Sequence, residues 1–210
     1  MENNILITIG RQIGAGGLEV AEKVAGKMGI ELFDKNLLSL AAQKNGLSAD
    51  LFEQKDEKPV SSNRFAKFLG LRSSNYTDSQ IYNPGGLLSD DDIFKEQSKV
   101  IWKLSAQASG VFVGRCADYI LRRREGLLTV FLTADLPDRV ARIAAKRGIS
   151  EAEAEKFIQT EERKRKEYYN YYTFKEWGGS SSYDICLNTS RLGIEKTADL
   201  IISLYHSIYG

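Results

Sequence analysis

A run of glycines, Gly10-Arg11-Gln12-Ile13-Gly14-Ala15-Gly16-Gly17, stands between the apolar stretch Ile5-Leu6-Ile7-Thr8-Ile9 and a helically spaced set, Leu18, Val20, Ala21, Val24, Ala25 and Met28. Strand, glycine loop and helix in that order is the setting in which backbone N–H groups and a helix N-terminus gather phosphate. The usual form of such a loop ends Gly-Lys-Ser/Thr, with the Lys on the phosphates and the hydroxyl on Mg²⁺. Here Gly17 holds the Lys position, and Leu18 and Glu19 follow it. Glycines between a strand and a helix also make plain tight turns, because they tolerate positive φ and close packing. A dinucleotide fingerprint is the competing functional reading, and it needs Gly-x-Gly-x-x-Gly with an acid ~20 residues on. Gly14-Ala15-Gly16 is followed by Glu19 where the third glycine belongs, although Asp34 lies near the required distance.

Three further groups carry chemistry. In Val111-Phe112-Val113-Gly114-Arg115-Cys116-Ala117-Asp118 a strand delivers Arg115 to the sheet edge that also carries the glycine loop. Arg115 either starts a helix in solvent or holds a phosphate or base through its planar fork. Arg139-x-x-Arg142-x-x-x-Lys146-Arg147 and Glu162-Arg163-Lys164-Arg165-Lys166, with Tyr168, Tyr169, Tyr171 and Tyr172 beyond, form two basic helices across a Gly148-Ile149 break. Such charge is commonly a solvated face. It also suits a lid that cancels charge on transferring phosphoryl oxygens and excludes water. Asp34-Lys35 follows the second strand, and the acid either caps a helix or orients a substrate hydroxyl, base or hydrated Mg²⁺. Arg122-Arg123-Arg124 reads as a helix C-terminus, where cations suit the macrodipole.

The elements that must position these groups alternate. Strands are expected at Asn4–Ile9, Ile30–Phe33, Gly110–Val113, Leu128–Leu132 and Tyr183–Leu187. Helices are expected at Gly17–Lys27, Arg115–Arg124, Pro137–Arg147, Glu151 to about Tyr172, and Gly193 to about Tyr209. Ser150 and Glu153 have capping-box spacing, and Pro137 suits a first helical turn. Short apolar strands separated by helices predict a parallel sheet covered on both faces, with ligands at the strands' carboxyl ends. The stretch 35–99 breaks this rhythm and reads as a mostly helical insertion with a mobile part near Leu71–Gly86. The core is then 1–34, 100–147 and 173–210, with a lid at 148–172.

Composition excludes several classes. The 210 residues are 42% hydrophobic and 27% charged, with net charge +1, so bulk electrostatics favours neither nucleic acid nor a membrane surface. Met1-Glu2-Asn3-Asn4 does not read as a signal peptide, and no apolar run approaches the ~18 residues of a membrane span. The two cysteines, Cys116 and Cys186, are isolated, no His/Cys pair has metal-ligand spacing, and a reducing cytoplasm is the expected compartment. The single His206 reads as structural, which removes His-based triads.

With these residues in view, the chain resembles the cytidylate kinase-like branch of the P-loop nucleoside monophosphate kinases over nearly its whole length. The resemblance is carried by Ile7 to Gly17, Phe33-Asp34-Lys35 and Gly114-Arg115-Cys116-Ala117-Asp118-Tyr119-Ile120-Leu121. It continues in Tyr168 to Thr173 with Glu176-Trp177-Gly178, and in Tyr183-Asp184 with Leu187-Asn188-Thr189 and Leu192-Gly193-Ile194-Glu195. It implies an α/β, three-layer P-loop NTPase-type fold with a five-stranded parallel sheet, a helical NMP-binding insertion and a helical lid. It implies transfer of the ATP γ-phosphoryl to CMP or dCMP with Mg²⁺. Cytidylate kinases open with Gly-x-x-Gly-Ala-Gly-Lys and carry Gly-Arg-Asp-x-Gly at the acceptor strand end. Here Gly17 replaces that Lys and Cys116 replaces that Asp.

Carried over residue by residue, the resemblance implies donor binding by Gly10, Gly14, Ala15, Gly16, Gly17, Leu18, Arg142 and Lys146. It implies acceptor binding by Asp34, Lys35, Arg115 and Asp118, and lid arginines at Arg163 and Arg165. Arg11, inside the loop, is expected to supply the missing cation, with a planar fork in place of a compact ammonium. Small-molecule nucleotides are the expected partners, with neither nucleic acid nor membrane, and no protein ligand for a metal is expected. A non-catalytic phosphate sensor, or a kinase for another small phosphorylated acceptor, are the alternatives.

Overall fold

The computed structural model describes residues 4–34 and 90–210; Lys35, most of the 35–99 insertion and the Leu71–Gly86 stretch lie outside the described residues. The described strands are β1 (Leu6–Arg11), β2 (Glu31–Phe33), β3 (Gly110–Val113), β4 (Leu127–Thr133) and β5 (Ile185–Asn188). The described α-helices are α1 (Gly17–Met28), α2 (Asp90–Gln107), α3 (Ala117–Ile120), α4 (Leu136–Arg147), α5 (Glu151–Thr173) and α6 (Thr189–Tyr209). The strands form one sheet in the order β2-β3-β1-β4-β5, and every pairing is parallel. This is the expected α/β fold, with helices on both sheet faces and every strand's carboxyl end at one edge.

Alternation along the strands divides the core. Ile7 and Ile9 of β1 point with Val111, Val113, Leu128, Val130 and Leu132 toward α1 and α6, where Val20, Val24, Ala198 and Ile201 are also buried. Leu6 and Phe112 point the other way, against Phe33, Val100 and Ile101 of α2, and Leu121. Phe33 and Phe112 stack at 4.6 Å between ring centroids. The central strand β1 is therefore apolar on both faces, as a parallel strand in the middle of three layers must be.

Several boundaries differ from the sequence reading. β1 runs on through Arg11, because its register with β4 continues to the Arg11–Leu132 pair, so Arg11 leaves the sheet edge itself. The helix expected over Arg115–Arg124 spans only Ala117–Ile120; its start is delayed because Gly114, Arg115 and Cys116 all take positive φ (75°, 56° and 54°). The basic triplet consequently caps no long helix. Arg122 donates to the Tyr119 carbonyl at 2.5 Å, and Arg124 stacks 4.1 Å over Trp102 and donates to that residue's carbonyl at 3.1 Å. α2 runs across position 99, where the sequence reading divides insertion from core. α6 begins at Thr189, where Asn188 caps it, and is broken at Gly193 (φ 73°, ψ 163°). His206 lies on the exposed side of that helix.

Ser150 caps α5 as its spacing predicts: its Oγ accepts from the Glu153 amide at 3.3 Å, while Glu153 accepts from the Ser150 amide at 3.0 Å. Phe112 is fully buried between the central sheet and α2. Phe112→Ala is expected to cost about 3–5 kcal/mol of unfolding free energy, read from the denaturant midpoint.

Candidate active site

The glycine loop lies at the carboxyl edge of β1, between the ends of β3 and β4. Gly14 (φ 80°) and Gly16 (φ 75°) are left-handed, and Gly16 is the N-cap residue of α1. The Gln12 amide donates to the Leu132 carbonyl at 2.9 Å, and the Ala15 amide donates to the Gln12 carbonyl at 3.2 Å. The Ile13 amide donates to Glu162 Oε1 at 3.1 Å. The amides of Gly14, Gly16, Gly17, Leu18 and Glu19 meet no acceptor among the described residues. They fan out at the N-terminus of α1, where the helix dipole adds partial positive charge; this is an anion cradle in form.

Arg11 completes it. A Cβ placed on Gly17 would lie 2.6 Å from Arg11 Cγ and 2.8 Å from Arg11 Cβ. A Cβ on Gly114 would run into Arg11 Nη1 and sit 3.1 Å from Cζ. The arginine stem thus occupies the space over Gly17 that a loop Lys would need, and its guanidinium reaches the end of β3. Both neighbours are glycine because a side chain at either place would expel it.

Further loop contacts come from the α4–α5 hairpin and α6. Arg142 donates through Nη1 to the Gly14 carbonyl. Arg139, buried beneath the loop, places its own carbonyl 2.8 Å from where a Gly14 Cβ would stand. Its Nη1 donates to Glu162 Oε1 at 2.7 Å, so one carboxylate oxygen takes both Arg139 and the Ile13 amide. Thr189 Oγ1 donates to the Ala15 carbonyl at 2.9 Å, and Ile194 Cδ1 closes over Gly16. Lys146, one turn beyond Arg142, is exposed.

Along the adjoining edge, Asp34 follows β2 and Arg115 follows β3, with Arg115 buried. Asp118 is buried as well, and Tyr169 of α5 donates to its Oδ2 at 2.6 Å. Burial pushes the Asp118 carboxyl up, against the lowering pull of the Tyr169 hydrogen bond and of Lys175. Burial and the neighbouring Asp118 charge push the Tyr169 hydroxyl far up, so it remains a donor. Asp118 is thus occupied by the protein's own tyrosine. Arg165 lies half-buried on the α5 face that carries Glu162 and Tyr169, whereas Arg163 is exposed. Among the described residues, no group of three or more His, Cys, Asp or Glu is placed to hold a metal ion.

The structure therefore gathers Arg11, Gly14 to Leu18 and Arg142 at one loop, and puts Asp34, Arg115 and Asp118 along the adjoining edge. Three contributors escaped the residue patterns. Glu162 and Tyr169 sat inside a basic, Tyr-rich run that reads as a solvated or packing helix, and their i, i+7 spacing was the available signal. Arg139 was legible only as one cation among several. A carboxyl whose pKa is raised by burial stabilises the fold when protonated and loses that contribution as pH climbs from the unfolded value near ~4. Asp118→Asn keeps an acceptor for Tyr169 and removes the titration. Its melting temperature relative to the parent protein is expected to rise from pH 4 to pH 8, as read by thermal unfolding at each pH.

Comparison with known proteins agrees with this architecture. A crystal structure of an uncharacterized protein from Eubacterium ventriosum is 27% identical, superposes with a TM-score of 0.72, and matches 97% of this chain to 99% of its own. Shikimate kinase from Bacteroides thetaiotaomicron superposes with a TM-score of 0.53 at 13% identity, over 96% of this chain and 98% of its own, a likeness of fold. A curated protein from Corynebacterium glutamicum named uronate isomerase is 28% identical over 166 residues, 78% of this chain. The match spans only 31% of that protein's own length. The family model described as the cytidylate kinase-like family matches residues 6–191. With that match spanning the loop, the sheet and the α4–α5 hairpin, the chain belongs to the cytidylate kinase-like family.

Proposed function

We propose that this chain is an ATP-dependent kinase of the cytoplasm that transfers the γ-phosphoryl group to a nucleoside monophosphate, CMP or dCMP. The observation that carries the reading is Arg11 laid over Gly17 at the mouth of the amide cradle. A loop that has lost its Lys has regained a cation from the preceding strand. In this reading the amides of Gly14, Gly16, Gly17 and Leu18 take the β- and γ-phosphate oxygens, with Ala15 in the turn and Gly10 in the last residues of β1 that lead into it. Arg11 faces the transferring group, and Arg142 and Lys146 frame the donor base. Asp34, Lys35 and Arg115 receive the acceptor, and Asp118 acts on it through Tyr169. Arg165 cancels charge on the transferring oxygens, where positioning and electrostatics supply most of the rate; Arg163, expected beside it, is exposed on another side of α5.

Bound with the nucleotide, Mg²⁺ would neutralise phosphate charge, and Asp34 is the carboxylate at this edge that would hold its hydration shell. The lack of a loop Lys and of a following Ser/Thr favours a second reading, a phosphate sensor without turnover.

Conversion of ATP to ADP with Mg²⁺, measured across CMP, dCMP, UMP, AMP and GMP against a no-acceptor control, separates these readings. Cytidine-dependent turnover supports the kinase. ATP binding with no turnover against any acceptor leaves the sensor. Arg11→Ala is expected to lower kcat/KM for ATP by about 100-fold, on the scale of losing one preorganised charge at the transferring group. Adding Gly17→Lys to that variant fills the vacated space with the usual loop cation, and recovery of at least part of the loss is the expected outcome. Normal turnover by Arg11→Ala would sink this assignment.

A further inference from the structure

α5 carries the arginines of the supposed lid, and a lid is expected to swing. Its contacts describe something else. Glu162, in the middle of the helix, accepts from the Ile13 amide of the phosphate loop (3.1 Å) and from buried Arg139 (2.7 Å) through one oxygen. Seven residues on, about 10 Å along the axis, Tyr169 donates to buried Asp118 behind the end of β3 (2.6 Å). The turn before Glu162 is held too: Ile158 packs with Ile13, Val140, Ile143 and Ala154. Past Tyr169, Tyr172 stacks on Phe94 of α2 at 4.1 Å and donates to Asp91 at 3.2 Å. One helix is therefore fastened to the donor loop and to the acceptor edge at the same time.

We propose that α5 is a fixed strut in place of a swinging lid, with Glu162 and the Tyr169–Asp118 pair as the positioning residues that set the donor loop and the acceptor edge at a fixed separation. Arg165 lies between the two fastenings, three residues after Glu162 and four before Tyr169, on the same face of the helix. Arg163 does not share that face and is exposed. The strut therefore assigns Arg165 to the gap where the phosphoryl group moves, an assignment that rests on the kinase reading. The mechanical part does not rest on it.

Two features make Glu162 the critical point. Arg139 is buried, and its Nε has no acceptor among the described residues, so Glu162 is the carboxylate that keeps this charge compensated. The Ile13 amide precedes the left-handed Gly14, so its orientation sets the entry to the cradle. Removing the Glu162 charge loosens the loop and the helix together. Removing the Tyr169 hydroxyl loosens the helix at its other end and leaves the loop bonds in place.

The test is amide hydrogen exchange on the whole unliganded protein for the parent, Glu162→Gln and Tyr169→Phe, each checked for a native circular-dichroism spectrum. Glu162→Gln is expected to speed exchange across loop residues 12–16 and the middle of α5 by about tenfold, the scale of one charge-assisted hydrogen bond. Tyr169→Phe is expected to do so in the second half of α5 while sparing the loop. It keeps the ring and tests the strut if Glu162→Gln does not fold. Exchange unchanged in the folded variants, or α5 already exchanging freely in the parent, would overturn the strut. With ATP and the acceptor that supports turnover, both variants should lose kcat by about tenfold with KM for ATP shifted less than about threefold. A merely structural role would move Tm and leave that split unchanged. A parent protein without turnover defeats the kinase reading and leaves the exchange result to decide the strut.

Discussion

The side chain of Arg11 lies where two other residues have none. It leaves the end of β1, crosses Gly17 at the start of α1 and meets Gly114 at the end of β3. Strand, loop and neighbouring strand are brought to van der Waals distance around one guanidinium stem. This tight fit ties the unusual composition of the loop to the unusual backbone beyond β3. Gly17 leaves room for the stem, and Gly114, in the left-handed region, leaves room for the head while turning the chain back. Arg115 and Cys116 are then held at positive φ, a conformation that costs L residues energy and persists only where the surroundings impose it. The surroundings here are the buried Arg115 itself and an aromatic cage of Phe131, Tyr169 and Tyr183 around Cys116.

The same edge shows how charge is kept when it is buried. Arg139 and Asp118 are both buried and each has one close partner from α5, Glu162 and Tyr169. The two pairings differ. Arg139 meets a full countercharge at 2.7 Å, whereas Asp118 meets a neutral hydroxyl and is pushed toward its protonated form by burial. Breaking the first strands a cation, and the second yields to protonation instead. By contrast, Lys23 and Lys27 of α1 meet Glu195 and Asp199 of α6 at 2.5–2.6 Å in solvent, where Glu195 is pulled down to about 2 by the lysine hydrogen bonds. Exposed pairs of this kind stabilise little.

Much of this was legible in the residues. Apolar runs bounded by turn residues gave all five strands to within three residues at each end, and the order of strands and helices implied the parallel sheet. The capping box at Ser150 and the glycine loop read directly, because each depends on neighbours within a few positions. The positive-φ turn at Arg115 and Cys116 did not read, since neither residue type advertises that conformation and the cause lies across the sheet in Arg11 and the aromatic cage. The four-residue α3 follows from the same limit, whereas the early start of α6 rests on a local signal, the Asn188 side chain capping the Ser190 and Arg191 amides.

The sequence by itself determined that a glycine loop follows a central strand, that its lysine is absent, and that arginines stand at the strand end and on the hairpin beyond. These are properties of order and spacing, written in local composition. Only the tertiary structure decided that Arg11 lies over Gly17, that one oxygen of Glu162 joins the loop to Arg139, and that Tyr169 closes on Asp118. Each of these joins residues more than 20 positions apart or turns on which side of a strand a long side chain leaves the sheet. The packing of several elements around one edge settles such matters, and no single segment contains that information.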